Sequence, residues 1–511
     1  MPIGARPLYP CSFVAVMSCA LATACAVGPN FHRPAPPTTG YVVQPLKPPT
    51  TAFSGPAGGA QRFVDGADIA ADWWTLFRSP VLNALIDRAL IANSDLAAAE
   101  AALKVAHQTY LAQLGVFLPA VDLSANTSRN KSSAYLSPVL NASQFYYTLQ
   151  TAQVNVSYTV DVFGGLRRQT ESVKAQEDSQ RFQTEAVYLT LTSNVVADAM
   201  QEASLRAQVA AQERIITIES DILRIMRAQL RAGQIAPTDL LAQEAALAQA
   251  QQALPPLRKQ LDQEQDLLAY LTGRTPGEQI YHGLDLDALA LPTALPVSLP
   301  AKLVEQRPDI RQAEANLHTA SANVGVAIAA RLPNITLNGL VGGAAATWGS
   351  LFTAANNEWT VGAGLTQPIF EGGALYHKQK AAEAALDQAK DQYRSTVLAA
   401  FQNVADALKA LEVDGVALDA AANAHKSAQT TLDITLRQRA AGQVTTIEVL
   451  NAEQAERSAE LALVQAEAAR FSDTAALFQA LGGGWWNRGP IETLPQASTG
   501  TTLPIGSKPL S

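Results

Sequence analysis

The chain has 511 residues and a formal net charge of −8, with 48% hydrophobic and 16% charged residues, less charge than the usual quarter of a soluble protein. No block of lysine or arginine stands out, which argues against nucleic acid as a partner. The cysteines, Cys11, Cys19 and Cys25, all lie at the N-terminus, so the rest of the chain has no disulfide and no thiolate metal site.

Arg6 and the amino terminus make a weakly positive start, and Phe13 to Ala24 form a short apolar run. That run suits a signal peptide rather than a spanning helix. It ends in Leu21-Ala22-Thr23-Ala24-Cys25, small residues before a cysteine as in a bacterial lipobox. Residues 1–24 are therefore expected to be a cleaved signal peptide, with Cys25 lipidated; an idle cysteine after an ordinary cleavage site is the alternative. Cys19, with Met17 two residues before it, is the weaker candidate. Several acyl chains on one residue would anchor firmly, at about 0.8 kcal/mol per buried methylene. Residues 25–72 follow as an extended segment rich in Pro, Gly, Thr and Ser. No later run offers about 18 consecutive apolar residues, so a membrane crossing by the mature chain requires a closed barrel.

The remainder is one unit written twice, 73–272 and 301–483, joined by a proline-rich linker at 273–300 and followed by a tail at 484–511. Asp95, Glu100, Leu103 and Leu118-Pro119 recur as Asp309, Glu314, Leu317 and Leu332-Pro333. Phe163-Gly164-Gly165 recurs as Phe370-Glu371-Gly372-Gly373, and Ala232-Gly233-Gln234-Ile235 as Ala441-Gly442-Gln443-Val444. Chance similarity of alanine-rich helices does not explain loops and turns repeating in the same order.

Each unit reads as a helix, two strands, a very long helix, a tip and a returning helix. In the first copy the helix follows Asn93-Ser94, strands fall at 119–131 and 145–163, and helices at 165–231 and 238–271. Pro255-Pro256 is expected to kink the last of these. In the second copy helices fall at 308–330, 374–440 and 446–481, and strands at 333–345 and 357–370. The strands alternate: Val154, Val156, Tyr158, Val160 and Val162 point one way, and Gln153, Asn155, Ser157, Thr159 and Asp161 the other. Such a face pair fits a half-buried soluble sheet, and equally a barrel with a lipid face and a wet lumen. Leu166 to Ala232 contains no Gly or Pro, enough for a rod on the order of 100 Å. Phe182, Leu189, Val196, Met200 and Ala203 follow coiled-coil steps, as do Ala389, Tyr393, Val397, Ala400, Val404, Ala407 and Leu411 in the second copy. About four strands cannot close a barrel, since single-chain barrels begin at eight. Two or more copies must pool strands, and physics alone allows eight, twelve or sixteen.

The sequence resembles the TolC-type outer-membrane factors, in the lipidated OprM/NodT-like branch. After Cys25 the run AVGPNFHRP has the branch's pattern, with Gly28-Pro29, Phe31 and Pro34. DWWTLFRSPVLNALIDRAL, with Trp73-Trp74, follows it, and LVEQRPDIRQAEANL, with Arg307-Pro308-Asp309-Ile310-Arg311, is the most specific piece. The resemblance implies an α+β membrane protein: a trimeric twelve-stranded β-barrel, four strands per chain, continuous with a long periplasmic α-helical coiled-coil barrel. It implies a passive duct in the outer membrane that conducts small molecules. Its partners would be two more copies, outer-membrane lipid, a periplasmic membrane-fusion adaptor and an inner-membrane RND-type pump.

By the same resemblance the helix tips meet the adaptor, through Gly233, Gln234 and Ile235 in the first copy and Gly442, Gln443 and Val444 in the second. The periplasmic gate falls on Ile447, Glu448 and Asn451; where the family pattern has Asp, this sequence has Asn451. Glu448 is either part of an anionic ring or a first-turn acid complementing the helix dipole. Thr238 and Thr446 are candidate helix caps. The histidines share no ligand spacing and no phosphate-binding glycine loop appears, so no enzyme, metal or cofactor is expected beyond lipid on Cys25. A periplasmic coiled-coil scaffold is the rival from another class; it leaves the duplicated strands unexplained. A type I secretion outlet is a second rival.

Overall fold

The computed structural model describes residues 26–37, 40–41, 57–133, 146–278 and 283–489. The signal peptide, Cys25 and the tail beyond 489 lie outside the described residues. The first copy contains α1 (Pro80–Ala92), α2 (Ser94–Leu114), β2 (Ala120–Lys131), β3 (Tyr146–Val160), α3 (Gly165–Arg231) and α4 (Pro237–Leu271), preceded by β1 (Arg62–Asp65). After β4 (Ala294–Val297) the second copy contains α5 (Pro300–Gln306), α6 (Pro308–Ala329), β5 (Asn334–Ala345), β6 (Asn357–Thr366), α7 (Ala374–Ala440) and α8 (Thr446–Ala480). The duplication is quantitative: α3 and α7 have 67 residues each, and α4 and α8 have 35 each. No described helix is long and apolar enough to cross a membrane.

The chain divides into two compact units. The first comprises the residues up to Pro34 together with 105–180 and 313–394. It is built on an antiparallel sheet in the order β2-β3-β5-β6. Register aligns side chains across all four strands. Val121, Val156, Gly339 and Val361 form one row, and Leu123, Val154, Val341 and Trp359 the next. Intervening rows are polar or small: Ser124, Gln153, Gly342 and Glu358 form one of them, and Leu340 is the exception in its row. The strand at 334–345 alternates poorly because glycines occupy 339, 342 and 343; at Gly342 an added Cβ would lie 2.3 Å from the Ala152 carbonyl oxygen.

The second unit comprises 35–104, 181–312 and 395–511. Its core is aromatic: Trp73 is fully buried and stacks on Phe478 at 5.2 Å, and Phe77 meets Phe471 at 6.1 Å. The Trp73-Trp74 pair is therefore packing, as is Trp485, edge-on to Phe182. The linker contributes β4, which pairs in parallel with β1, an element the sequence did not announce. Pro296 is tolerated there because the sheet is only two-stranded.

The long helices form because nothing interrupts them. At the start of α3 the Asp161 carboxylate accepts from the amides of Leu166 and Arg167, both at 3.0 Å, satisfying donors that have no helical partner. The apolar seams are buried: Phe182, Leu189, Val196, Met200 and Ala203 on α3, and Ala389 through Leu411 on α7. Helix α4 continues through Pro255 and Pro256. The carbonyls of Gln251 and Gln252 lose their amide donors, and both residues are exposed, so water replaces them.

Candidate functional site

The sheet is the first candidate surface. Among the described residues its apolar face is open along the middle rows, where Leu123, Trp359 and Val361 are 77%, 74% and 79% exposed, and is covered only at the end where Leu351 lies against Gly343. Strands of 12, 15, 12 and 10 residues reach the length of about 9–11 residues that a tilted strand needs to cross a bilayer. The polar face is bonded within itself: Gln153 donates to Glu358, and Asn155 to Ser124 at 3.0 Å. Among the described residues β2 and β6 are both edges, each with a row of backbone groups that no strand pairs. Tyr146, Tyr147, Trp348 and Trp359 are all substantially exposed, as interfacial aromatics are.

Beneath the strands, the segment 26–33 is strapped to the start of α3 and to α6 between Glu314 and Gly325. The Val27 amide donates to the Phe163 carbonyl at 3.1 Å. Arg168, nearly buried, donates to the Val27 carbonyl at 3.0 Å, to Asn30 at 2.6 Å and to Glu171 at 2.7 Å. His318 bonds the other oxygen of Glu171 at 2.8 Å and stacks on Phe31, ring centroids 4.3 Å apart. Burial alone would raise the Glu171 pKa, but the His318 and Arg168 bonds outweigh it and hold the carboxyl below its ordinary value. Gly28, at φ +92°, crosses Gly325 so closely that a Cβ on it would lie 2.4 Å from the Gly325 Cα. Arg33 pairs with Glu314 at 3.1 Å. Sequence reading singled out Gly28, Phe31 and Glu314 but not Arg168 or His318. The facing glycines were the available signal.

The RPDIR run also acquires roles. Arg307 forks onto Asp309 and donates to the Ala480 carbonyl at 2.9 Å, tying the start of α6 to the end of α8. Arg311 lies over the Phe182 ring.

At the first tip Gly233 takes φ +71°, its amide bonding the Leu230 carbonyl and that of Gln234 the Gln229 carbonyl. Gly442 repeats this at φ +74°, with Arg439 and Gln438 as acceptors. Both are left-handed glycine caps that close the last turn with paired bonds. Gly233, Gln234, Gly442 and Gln443 are exposed, and Ile235 and Val444 partly so. The caps of the returning helices fall one residue or more from those expected. Thr238 lies inside α4, whose first turn is closed by Asp239 accepting from the Ala236 amide. Thr446 is the first residue of α8, and Thr445 is its cap. Thr445 Oγ1 accepts from the Glu448 amide while the Glu448 carboxylate accepts from the Thr445 amide, a reciprocal capping box. Those bonds hold the Glu448 pKa below its ordinary value. Glu448 and Asn451 are exposed and Ile447 partly so. Among the described residues no hydrogen bond or ion pair joins one tip to the other.

Residues 85–274 and 299–483 match the outer membrane efflux protein family, one stretch per copy of the repeat. The chain is 31% identical over 445 residues to the pyoverdine export outer membrane protein OpmQ of Pseudomonas putida, covering 86% of this chain and 94% of that protein. It superposes on the outer-membrane channel OprN with a TM-score of 0.77 at 26% identity, covering 90% of this chain and all of that one. For the open state of the Neisseria gonorrhoeae MtrE outer membrane channel the TM-score is 0.71 at 27% identity, covering 90% and 98%. The two solved structures are outer-membrane channels, and the matched family is one of efflux proteins. With the TolC-type fold and both copies of the repeat matched, the chain belongs to the outer membrane efflux protein family.

Proposed function

We propose that this chain is the outer-membrane channel of a tripartite efflux system, passively conducting small molecules handed to it by a periplasmic adaptor and an inner-membrane pump. One observation carries the reading: a four-stranded sheet with an exposed apolar face and two open edges. In lipid an open edge strands several kcal/mol per unpaired backbone group. Copies of the chain remove that cost by pairing β6 of one with β2 of the next, and three copies close a twelve-stranded barrel. The polar rows then line a wet lumen. The OpmQ relative, whose name describes pyoverdine export, supports small-molecule cargo.

Lipid on Cys25 belongs to the same proposal. The strap, which begins one residue later, would fix the anchor beside the ends of the strands. The tips at Gly233–Ile235 and Gly442–Val444 are the proposed adaptor contacts, being exposed turns on rigid helices. Ile447, Glu448 and Asn451 are the proposed gate; Glu448, ionised at neutral pH, supplies fixed negative charge there.

Native mass measurement in mild detergent, combined with single-channel recording, tests the whole. A conducting trimer is expected, with acyl mass on a proteolytic fragment containing Cys25. A solitary, silent subunit overturns the reading in favour of a periplasmic scaffold.

A further inference from the structure

Inside the chain the two copies of the repeat meet just below the strands, where β3 runs into α3 and α6 runs into β5. Val162, Phe163 and Leu166 on one side and Ala329, Leu332 and Pro333 on the other line a single recess. The backbones are close there: a Cβ on Gly165, the first residue of α3, would lie 3.0 Å from the Ala329 Cβ. The duplication writes both halves of this joint a second time. The residues matching the first half, Ile369, Phe370 and Leu375, lie where β6 runs into α7. Those matching the second half, Gly115, Leu118 and Pro119, lie where α2 runs into β2.

Within one chain these second halves belong to opposite edges of the sheet, and both are open. Ile369 and Phe370 are 89% and 87% exposed, and Leu118 and Pro119 are exposed too. Outside its own turn, no described atom lies within 4 Å of where a Cβ on Gly115 would be. The close backbone approach is also written twice, with its residues exchanged. In the first joint the glycine opens the long helix and Ala329 ends the shorter one; in the second, Ala374 opens α7 and Gly115 follows α2. Each joint thus has one glycine to set against one alanine.

We propose that the second joint closes between copies: Ile369 and Phe370 of one chain seat on Leu118 and Pro119 of the next, with Ala374 against Gly115. The proposal rests on the shared-barrel reading, in which β6 of one copy lies beside β2 of the next. The joint inside the chain also supplies the register of that seam. Tyr158 pairs with Leu337, and the matching residues are Leu365 on β6 and Leu123 on β2, both apolar and exposed. A slip of one residue would set Leu365 opposite Asp122 or Ser124 instead. The likeness is confined to the strand ends. Ser172 on α3 donates to Asn323 on α6 at 2.8 Å, whereas the matching positions hold Ala381 and Thr109. Lipid is the other surface an exposed Ile369-Phe370 pair could meet, but the matching Val162 and Phe163 face a protein recess.

The test uses the full-length chain in isolated outer membranes. Gly115→Cys with Ala374→Cys puts thiols at positions whose intrachain equivalents are 3.0 Å apart at Cβ, close to the roughly 3.5–4.5 Å of a disulfide. After oxidation this double variant should run as a covalent trimer on denaturing gels and return to monomer with reductant. Either single variant, which controls for Cys25, should form no covalent trimer. Ile369→Ser with Phe370→Ser should lower the temperature at which the trimer dissociates, with the helix content of the chain unchanged by circular dichroism. If the cysteine variant does not assemble, the serine variant alone decides. Native mass measurement separates the two ways of failing. An assembled trimer that does not cross-link, or a serine variant whose trimer dissociates at the wild-type temperature, overturns the joint and leaves the channel reading standing, with the exposed pair turned to lipid. A wild-type chain that is monomeric overturns both.

Discussion

Arg470 stands in an alanine-rich helix and reads in the sequence as one more surface charge, yet it is fully buried. Its guanidinium donates to Gln61 Oε1 at 3.1 Å and to the carbonyls of Ala57 and Gly59 at 2.9 and 3.0 Å. Arg470→Met strands these acceptors, at about 1–3 kcal/mol each, so a drop in the unfolding midpoint of several degrees is expected, together with early proteolysis near residues 57–61. Arg470→Lys should fall between, since an ammonium cannot reproduce the planar fork; a Met variant as stable as wild type would contradict the clamp. No sequence pattern signals such a residue, because these partners, one side-chain oxygen and two backbone carbonyls, lie 409 or more positions away. The tip glycines were legible because a left-handed turn has few alternatives to glycine. The caps beside them were not, since adjacent threonines, 445 and 446, offer the same chemistry and only backbone geometry chooses. Thr445→Ala should cost about 1 kcal/mol by losing the cap. Glu448→Gln keeps the box while removing charge, so it separates the two roles: a lower cation selectivity with unchanged stability supports the gate, and no change in selectivity reduces Glu448 to a cap.

At the scale of elements, periodicity and punctuation made the long helices readable: no glycine or proline from Leu166 to Ala232, and a seam that the structure buries. Many seam positions are alanine, so the helices depend on a few larger residues. Leu411, with no exposed surface, should cost about 2–5 kcal/mol as Leu411→Ala. Ala400→Leu should also destabilise, by about 1–3 kcal/mol, because Ala400 is fully buried and the larger side chain would overpack the seam. Equal tolerance of both in thermal unfolding would mean the seam is loosely packed. The strands β1 and β4 escaped sequence reading for the opposite reason: four residues each, in proline-rich company, carry too little pattern to separate from loop. The strap at 26–33 was likewise legible as a motif and not as a contact, for its meaning lies in Arg168 and His318, more than a hundred residues onward.

For the whole molecule the decisive property is the direction in which each face of the sheet looks, and a matched pair of substitutions isolates it. Thr360 and Val361 are neighbours on the edge strand β6, close enough to share depth in a membrane and pointing to opposite faces. Val361 belongs to the apolar rows and is 79% exposed in a single chain, whereas Thr360 lies in a polar row opposite Leu340. If three sheets close into one barrel, Val361 meets lipid and Thr360 meets water in the lumen. An arginine facing lipid costs about 2–4 kcal/mol near the midplane, and symmetry imposes that cost in every copy at once. Val361→Arg should therefore abolish the heat-sensitive oligomer band and reconstitution into vesicles. Thr360→Arg should leave assembly intact and shift conductance toward anions by lining the lumen with positive charge. Soluble-sheet packing predicts that neither change alters conductance, and a barrel turned inside out predicts the reverse pattern. Only loss of assembly at 361 with changed selectivity at 360 fits a shared wall whose apolar rows face lipid.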